Sequence, residues 1–461
     1  MLKKSILCLF ITSLLFASTA CDKGFQDKQG VVLSPQESGG QPIITIVMSS
    51  STYSNFKAEK MLTDYVEKFE RDMGVEVKID LIRDNYGKMI DQEEADAYMR
   101  ELSPKLYAEN GPELIFTEYF FFNQVIKQNV VVELSSKIHN ISKIYKGLLN
   151  DETYYVPIGM RYYSKGVNKK ILEEFNLPEP EFNWTQNNYF SLWDKWMTNS
   201  IINFNASEYY SIYSRFIESQ LNINIIDKKA ELSIPTVIEG MRQARQCIFN
   251  GKYKLNKNYT YKNYYNMIFE ENSEEAHASQ EIYDKNRPFH ISRSYLCNAF
   301  RAGEIAGIRN RDSVIALPEF ADKRPYINTM GFLINKKCRQ HELAYEFING
   351  LLSDEQQLAL FNQGNYHYYP VNKDIEEEIT KDEIQKVVDK KAIELKSYVL
   401  EQLKNGICDT DVDINSTQKN IKNMLSRDLS KYILADETYS EEELNSELSK
   451  LIDKYNIWLS E

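Results

Sequence analysis

The sequence predicts an α/β protein of two lobes, each a mixed sheet flanked by helices, with a hinge between them. Three observations carry that expectation. A strand, polar loop, helix, strand pattern runs over residues 43–82 and repeats over residues 111–135, and residues 151–168 look like the place where one lobe hands over to a second. A length of 461 residues exceeds one ordinary core and implies two or three domains.

With 43% hydrophobic and 26% charged residues the chain is globular. Its formal net charge is −12, and −14 once a leader carrying Lys3 and Lys4 is subtracted, which argues against nucleic acid as a partner, since phosphate binding needs a basic surface. Tyrosine, at 31 residues, is the count most out of line. A flat apolar ring with a polar tip suits a binding surface that stays partly wet, and the surplus equally fits a compositional habit of the source genome.

Lys3 and Lys4 precede an apolar run over residues 6–16, too short to span a bilayer and right for the core of a signal peptide over residues 1–20. Ser18-Thr19-Ala20 then supplies small residues before Cys21, an arrangement that resembles a bacterial lipoprotein signal, although Ser18 stands where Leu is usual. The expectation is a chain exported to the outer face of the cell membrane, periplasmic in a Gram-negative cell, and anchored by lipid on Cys21. Plain secretion, with Cys21 a stray thiol, is the alternative. Residues 21–41 are polar and hold Gly24, Gly30, Gly39 and Gly40, as a flexible tether would. Cys247, Cys297, Cys338 and Cys408 fit no zinc or redox spacing, and could form up to two bridges or remain buried thiols.

Residues 43–48 read as a buried strand, residues 49–55 as a Ser-rich loop, and Met61, Leu62, Tyr65, Val66 and Phe69 as one face of a helix that Gly74 ends. Residues 75–82 alternate as a second strand. In an open parallel sheet, ligands lie beyond the carboxyl ends of the strands, which makes residues 49–55 a candidate ligand edge. At the first crossing, Tyr154, Tyr155 and Val156 have strand composition, Pro157 interrupts the ladder and Gly159 supplies backbone freedom. Arg161, Tyr162 and Tyr163 follow. Taken alone this segment fits an ordinary strand with surface tyrosines equally well.

Farther on, Trp184-Thr185 opens a helix, Phe204-Asn205-Ala206-Ser207-Glu208-Tyr209-Tyr210 and Phe289-His290-Ile291-Ser292-Arg293-Ser294-Tyr295 follow, residues 313–318 form a strand, and Thr329-Met330-Gly331-Phe332-Leu333-Ile334-Asn335 makes the return. Ser353 and Gln356 form a capping box. Together with residues 111–135 and the first crossing, these stretches resemble the bacterial extracellular solute-binding proteins of family 1, the maltose-binding-protein-like group of ABC-importer lipoproteins. The resemblance implies a two-lobed periplasmic-binding-protein-like fold of type II. It places the first lobe at 42–154 and 326–375 and the second at 155–325 and 376–461, whose acidic helical end would pack on the second lobe. A cleft would be lined by Tyr53, Glu118 and Tyr119 on one side and by Arg161, Tyr162, Glu208, Tyr210, Arg293 and Tyr295 on the other. Each of these fits ordinary surface placement as well. The implied ligand is a sugar or oligosaccharide, passed by a monomeric receptor to an ABC permease in the membrane, with no catalysis and no cofactor.

No nucleophile elbow, Walker loop, H-E-x-x-H or G-x-G-x-x-G occurs. His139, His277, His290, His341 and His367 are far apart, and Asp409, Asp411 and Asp413 begin like a calcium loop but meet Ile414 and Asn420 where Gly and Glu are needed. No metal site is expected. Glu118, Glu208 and Asp151 could pair as acid and base, which keeps a secreted carbohydrate-active enzyme open as an alternative beside a receptor for a peptide or other small solute. Arg161 and Arg293, if both face the cleft, would favour a carboxylate-bearing or sulfated sugar.

Overall fold

The computed structural model describes residues 41–83, 92–118, 125–126, 128–150, 152–162, 164–224, 229–270, 272–281, 289–292, 314–318, 320–321, 323–362, 368–386, 390–410, 416–435 and 438–460. Tyr119, Arg293, Tyr295, Cys21, Asp151 and Cys297 lie outside the described residues. From Ile43 onward the chain clusters as one unit.

The first lobe grows around β1 (Ile43–Ser49), whose two faces are both covered: Ile44, Ile46 and Met48 enter one apolar cluster and Val47 another. A strand buried on both faces reads as a nearly continuous hydrophobic run, as this one does. β2 (Glu76–Ile82) and β3 (Leu114–Thr117) flank it in parallel. Between β1 and β2, the helix Lys60–Met73 lays Met61, Leu62, Tyr65 and Phe69 on the sheet, and Gly74, at φ 64°, closes it in the left-handed conformation that glycine adopts without penalty. Tyr65 Oη donates to the Phe347 carbonyl at 2.9 Å, fixing this helix to the later helix His341–Leu351.

The Ser-rich stretch expected to be a loop is instead the helix Ser50–Ala58. Ser49 Oγ accepts the Thr52 N–H at 3.1 Å, so a serine side chain satisfies one of the orphan donors and starts the helix where composition suggested a turn. The stretch still follows the carboxyl end of β1.

β4 (Val156–Tyr162) belongs to the same sheet, antiparallel to β12 (Tyr326–Ile334), which in turn runs antiparallel to β3 and parallel to the short β13 (Asp409–Thr410). Ile327 is therefore paired on both sides, with Tyr162 of β4 and with Thr410 of β13. The register of β4 slips between Met330 and Gly331, and a Cβ at 331 would stand 2.2 Å from the Val156 carbonyl oxygen and 2.8 Å from the Tyr155 ring. Only glycine lets the two strands close at that point. Behind them Gln357, fully buried, donates to the Ile158 and Leu351 carbonyls and accepts the Val371 and Asn372 N–H groups, using all its hydrogen-bonding capacity. Ser353 caps the helix Asp354–Asn362 by accepting the Gln356 N–H at 3.3 Å.

The second lobe begins at β5 (Ser164–Asn168), which pairs antiparallel with β10 (Phe289–Ser292) on one side and β11 (Val314–Leu317) on the other. Its other pairings are short: β6 (Ile202–Asn203) parallel to β9 (Tyr253–Lys254), and β7 (Leu221–Asn224) antiparallel to β8 (Lys229–Leu232). Helices supply most of this core. The helix Gln186–Asn199 opens on a Thr185–Asn188 capping box and buries Leu192, Trp193 and Trp196, while Trp184 Nε1 donates to the Pro318 carbonyl at 2.9 Å and ties the helix to the end of β11. Helices Ser416–Leu434 and Glu441–Ser460 close it, the first held at its end by Arg245, which donates to the carbonyls of Tyr432, Ile433 and Ala435.

Two boundaries differ from expectation. The crossing comes after Tyr162 rather than at residue 155, because β4 satisfies its ladder against β12 in the first sheet. The terminal region does not pack wholly on the second lobe: in the helix Lys390–Lys404, Leu395, Val399, Leu400 and Leu403 join the first core, and only from Ser416 onward do the helices join the second. Cys247, Cys338 and Cys408 are free thiols. Replacing Gly331 by alanine is expected to lower stability by about 1–3 kcal/mol through overpacking against β4, read from the urea midpoint; an unchanged midpoint would show that the strands do not approach this closely.

Candidate functional site

Among the described residues, successive elements change core at three places: from β4 to β5, from β11 to β12, and from β13 to the helix Ser416–Leu434. All three passages leave the first sheet at one corner, since Tyr162, Ile327 and Thr410 are neighbours in register. The second and third passages are also bonded to each other. Asp409 N–H reaches the Pro325 carbonyl at 2.9 Å, and Arg324 donates to the Cys408 carbonyl at 2.8 Å while pairing with the Asp409 carboxylate at 3.3 Å.

Around this corner the first sheet buries polar side chains where an ordinary core would be apolar. Arg161, only 9% exposed, stands opposite Asn328 in the β4–β12 ladder, with its guanidinium 5.1 Å from the centre of the Tyr368 ring. Asn328 Nδ2 donates to Tyr326 Oη at 3.4 Å, and Tyr155 Oη donates to Thr329 Oγ1 at 3.1 Å, a bond that links the outgoing strand to the returning one. Glu118, 2% exposed, follows directly on Thr117 at the carboxyl end of β3. Lys396 is buried as well, its ammonium 4.8 Å from the Tyr369 ring centre. Arg161 and Asn328 share one face of the sheet, while Thr329 and Tyr369, both paired with Met160, lie on the other with Lys396, so each face offers a cation over a tyrosine ring beside an amide or a hydroxyl.

The expected site residues divide. Arg161 and Glu118 are both buried polar residues of the first lobe. Tyr162, placed in the cleft by the sequence reading, is 2% exposed and packs in the first core opposite Ile327, so neither it nor Arg161 lies on the second lobe as expected. Alternation explains the split, because successive β4 residues point to opposite faces. Tyr53 lies half-buried on the helix Ser50–Ala58 against the first core, with Lys57 Nζ 5.8 Å from its ring centre.

On the second lobe, Glu208 is fully buried in the first turn of the helix Ala206–Phe216, where Asn205 caps the helix and Tyr253 Oη donates to its carboxylate at 3.2 Å. Tyr210 is 45% exposed, and its ring meets Tyr209 and Phe269 edge-on at 5.7 and 6.1 Å, with Tyr265 and Arg427 in turn against Phe269. These contacts hold one tyrosine face towards solvent in a fixed orientation. Sequence reasoning missed Asn328, Thr329, Tyr368 and Lys396. The Tyr368-Tyr369-Pro370 run was a usable signal, whereas nothing marks Asn328 or Lys396 among their neighbours.

No protein-family model matches this chain, and no curated protein does. Solved structures do. The fold is similar to an extracellular solute-binding protein of family 1 from Alicyclobacillus acidocaldarius subsp. acidocaldarius DSM 446, at 12% identity and a TM-score of 0.56, over 92% of this chain and 100% of that one. It is similar to an ABC substrate-binding protein from Listeria monocytogenes in complex with cycloalternan, at 13% identity and a TM-score of 0.53, over 91% and 100%. A cyclic alpha-maltosyl-1,6-maltose binding protein from Arthrobacter globiformis matches at 10% identity and a TM-score of 0.56, over 90% and 99%. At these identities the likeness shows the two-lobed periplasmic-binding-protein-like fold. Arg161→Ala is expected to destabilise the chain by about 1–3 kcal/mol and Tyr210→Ala by no more than about 0.5 kcal/mol, measured by chemical denaturation; equal losses would mean that Tyr210 serves packing.

Proposed function

We propose that this chain is the solute-binding component of an ABC importer and captures a sugar or oligosaccharide between its two lobes. The observation that carries the reading is the corner at Ile327, where three passages between separate cores lie side by side, in a fold whose sugar-bound neighbours match it over about nine-tenths of its length. Bending at one corner lets two rigid cores approach without breaking either. A ligand that touches both lobes only when they are closed shifts the population to the closed form, which a permease then reads.

Arg161 and Glu118 on the first lobe serve as hydrogen-bonding groups, and Tyr210 on the second as a stacking face for sugar C–H surfaces. Residues 42–162 and 326–410 act as one lobe and residues 164–318 and 416–460 as the other. The chain acts without catalysis, as a monomer, at the outer face of the cell membrane, where Cys21 carries the lipid anchor and residues 21–41 the tether.

A thermal-shift panel of mono- and oligosaccharides tests the reading: a ligand at about a hundred times its dissociation constant adds roughly 2.7 kcal/mol of stability and is recovered unchanged. Tyr210→Ala then weakens that ligand about tenfold, a loss of about 1.4 kcal/mol. Stabilisation only by peptides, or turnover of the sugar in the same tubes, would overturn the proposal. Cys21→Ala is expected to release the chain from the membrane fraction, followed by fractionation and blotting.

A further inference from the structure

A cavity of ≈ 420 Å³ lies between the turn that carries Lys146 and Gly147, the approach to β12 at Arg324 and the approach to β13 at Gly406 and Cys408. Its walls are tied together by hydrogen bonds. Cys408 Sγ donates to the Gly147 carbonyl at 2.9 Å, and a Cβ at 147 would stand 2.7 Å from that sulfur, so the turn and the approach to β13 are in direct contact. Arg324 is fixed by the Cys408 carbonyl and by Asp409, and Lys373 rests on the Ser142 carbonyl.

The charge on those walls is one-sided. Lys146, Arg324 and Lys373 line the cavity and, among the described residues, no Asp or Glu does, in a chain where acidic residues outnumber basic ones by 67 to 55. Asp409 offsets Arg324, but among the described residues neither Lys146 nor Lys373 forms an ion pair. Like charges gathered in one concavity raise each other's energy, and an anion placed among them removes that cost. A guanidinium adds a flat fork that matches two oxygens of one phosphoryl or carboxylate group, while the lysines act as point charges.

We propose that this cavity binds a small multivalent oxyanion, one bearing phosphoryl or carboxylate groups, independently of any solute held between the lobes. The site touches the segments leading into β12 and β13, so its occupant sits against two of the three interlobe passages. Pyrophosphate and citrate are the probes, titrated by calorimetry into the full-length chain at constant ionic strength.

Saturable binding of at least one of them is expected, weakened tenfold or more in the Lys146→Ala/Lys373→Ala variant. A control variant at two exposed lysines of the second lobe, Lys254→Ala/Lys257→Ala, is expected to bind as the unaltered chain does. Absence of saturable binding, equal affinity in the cavity variant, or an equal loss in the control would overturn the proposal. The two sites share no residue, so the sugar panel reports separately on the interlobe reading.

Discussion

The antiparallel contact between β4 and β12 is the constraint on which the two-lobed arrangement rests. It exists because position 331 carries no side chain: the Val156 carbonyl and the Tyr155 ring occupy the space that a Cβ would need. With that contact made, the strand that leaves the first lobe and the strand that returns to it are hydrogen-bonded neighbours, and Tyr155 can donate to Thr329 across them. Addition of β13 on the far side of Tyr326 and Ile327 brings the third passage to the same corner. Three separate crossings, widely spaced in sequence, thus become a single mechanical joint.

Each core can then be rigid without making the molecule rigid. The first is held by a mixed sheet whose central strand is buried on both faces, and by Gln357, which bonds β4, the end of the helix His341–Leu351 and the Val371–Asn372 backbone at once. The second is mostly helical, with Tyr209 bonded to the Ser426 carbonyl and Trp184 bonded to Pro318. Phe182 lies between the two, packed on both clusters and edge-on to Tyr398 at 5.6 Å. That ring contact contributes on the order of 1 kcal/mol beyond its burial, and the helix Lys390–Lys404 touches β11 as well.

The polar residues near the joint have a different energetic character from the rest of the first core. Burying Arg161, Lys396 and Glu118 costs free energy that apolar side chains would not. Stacking of each cation on a tyrosine offsets part of that cost. A protein accepts such residues where charge and hydrogen-bonding capacity are needed near an interior surface. Glu208 is likewise buried, in the helical second core, where Tyr253 bonds one oxygen of its carboxylate.

By itself, the sequence determined the type and order of the elements that carry local signals. Periodicity at Met61, Leu62, Tyr65 and Phe69, the unbroken apolar run of β1, Gly74 as a stop and Thr185 as a start are local signals, read from a few residues whose neighbours in sequence are also their neighbours in space. Tertiary structure alone decided which face each crossing residue presents. Arg161 and Tyr162 are adjacent, yet one joins the buried polar set and the other the apolar core, because alternation and the slip at Gly331 fix that choice and both depend on a partner strand some 170 residues away. The same holds for Ser49, whose side chain turned an expected loop into a helix, and for Lys396, a lysine among lysines until the fold closed over it. Long-range pairing carries that information, and no local window contains it.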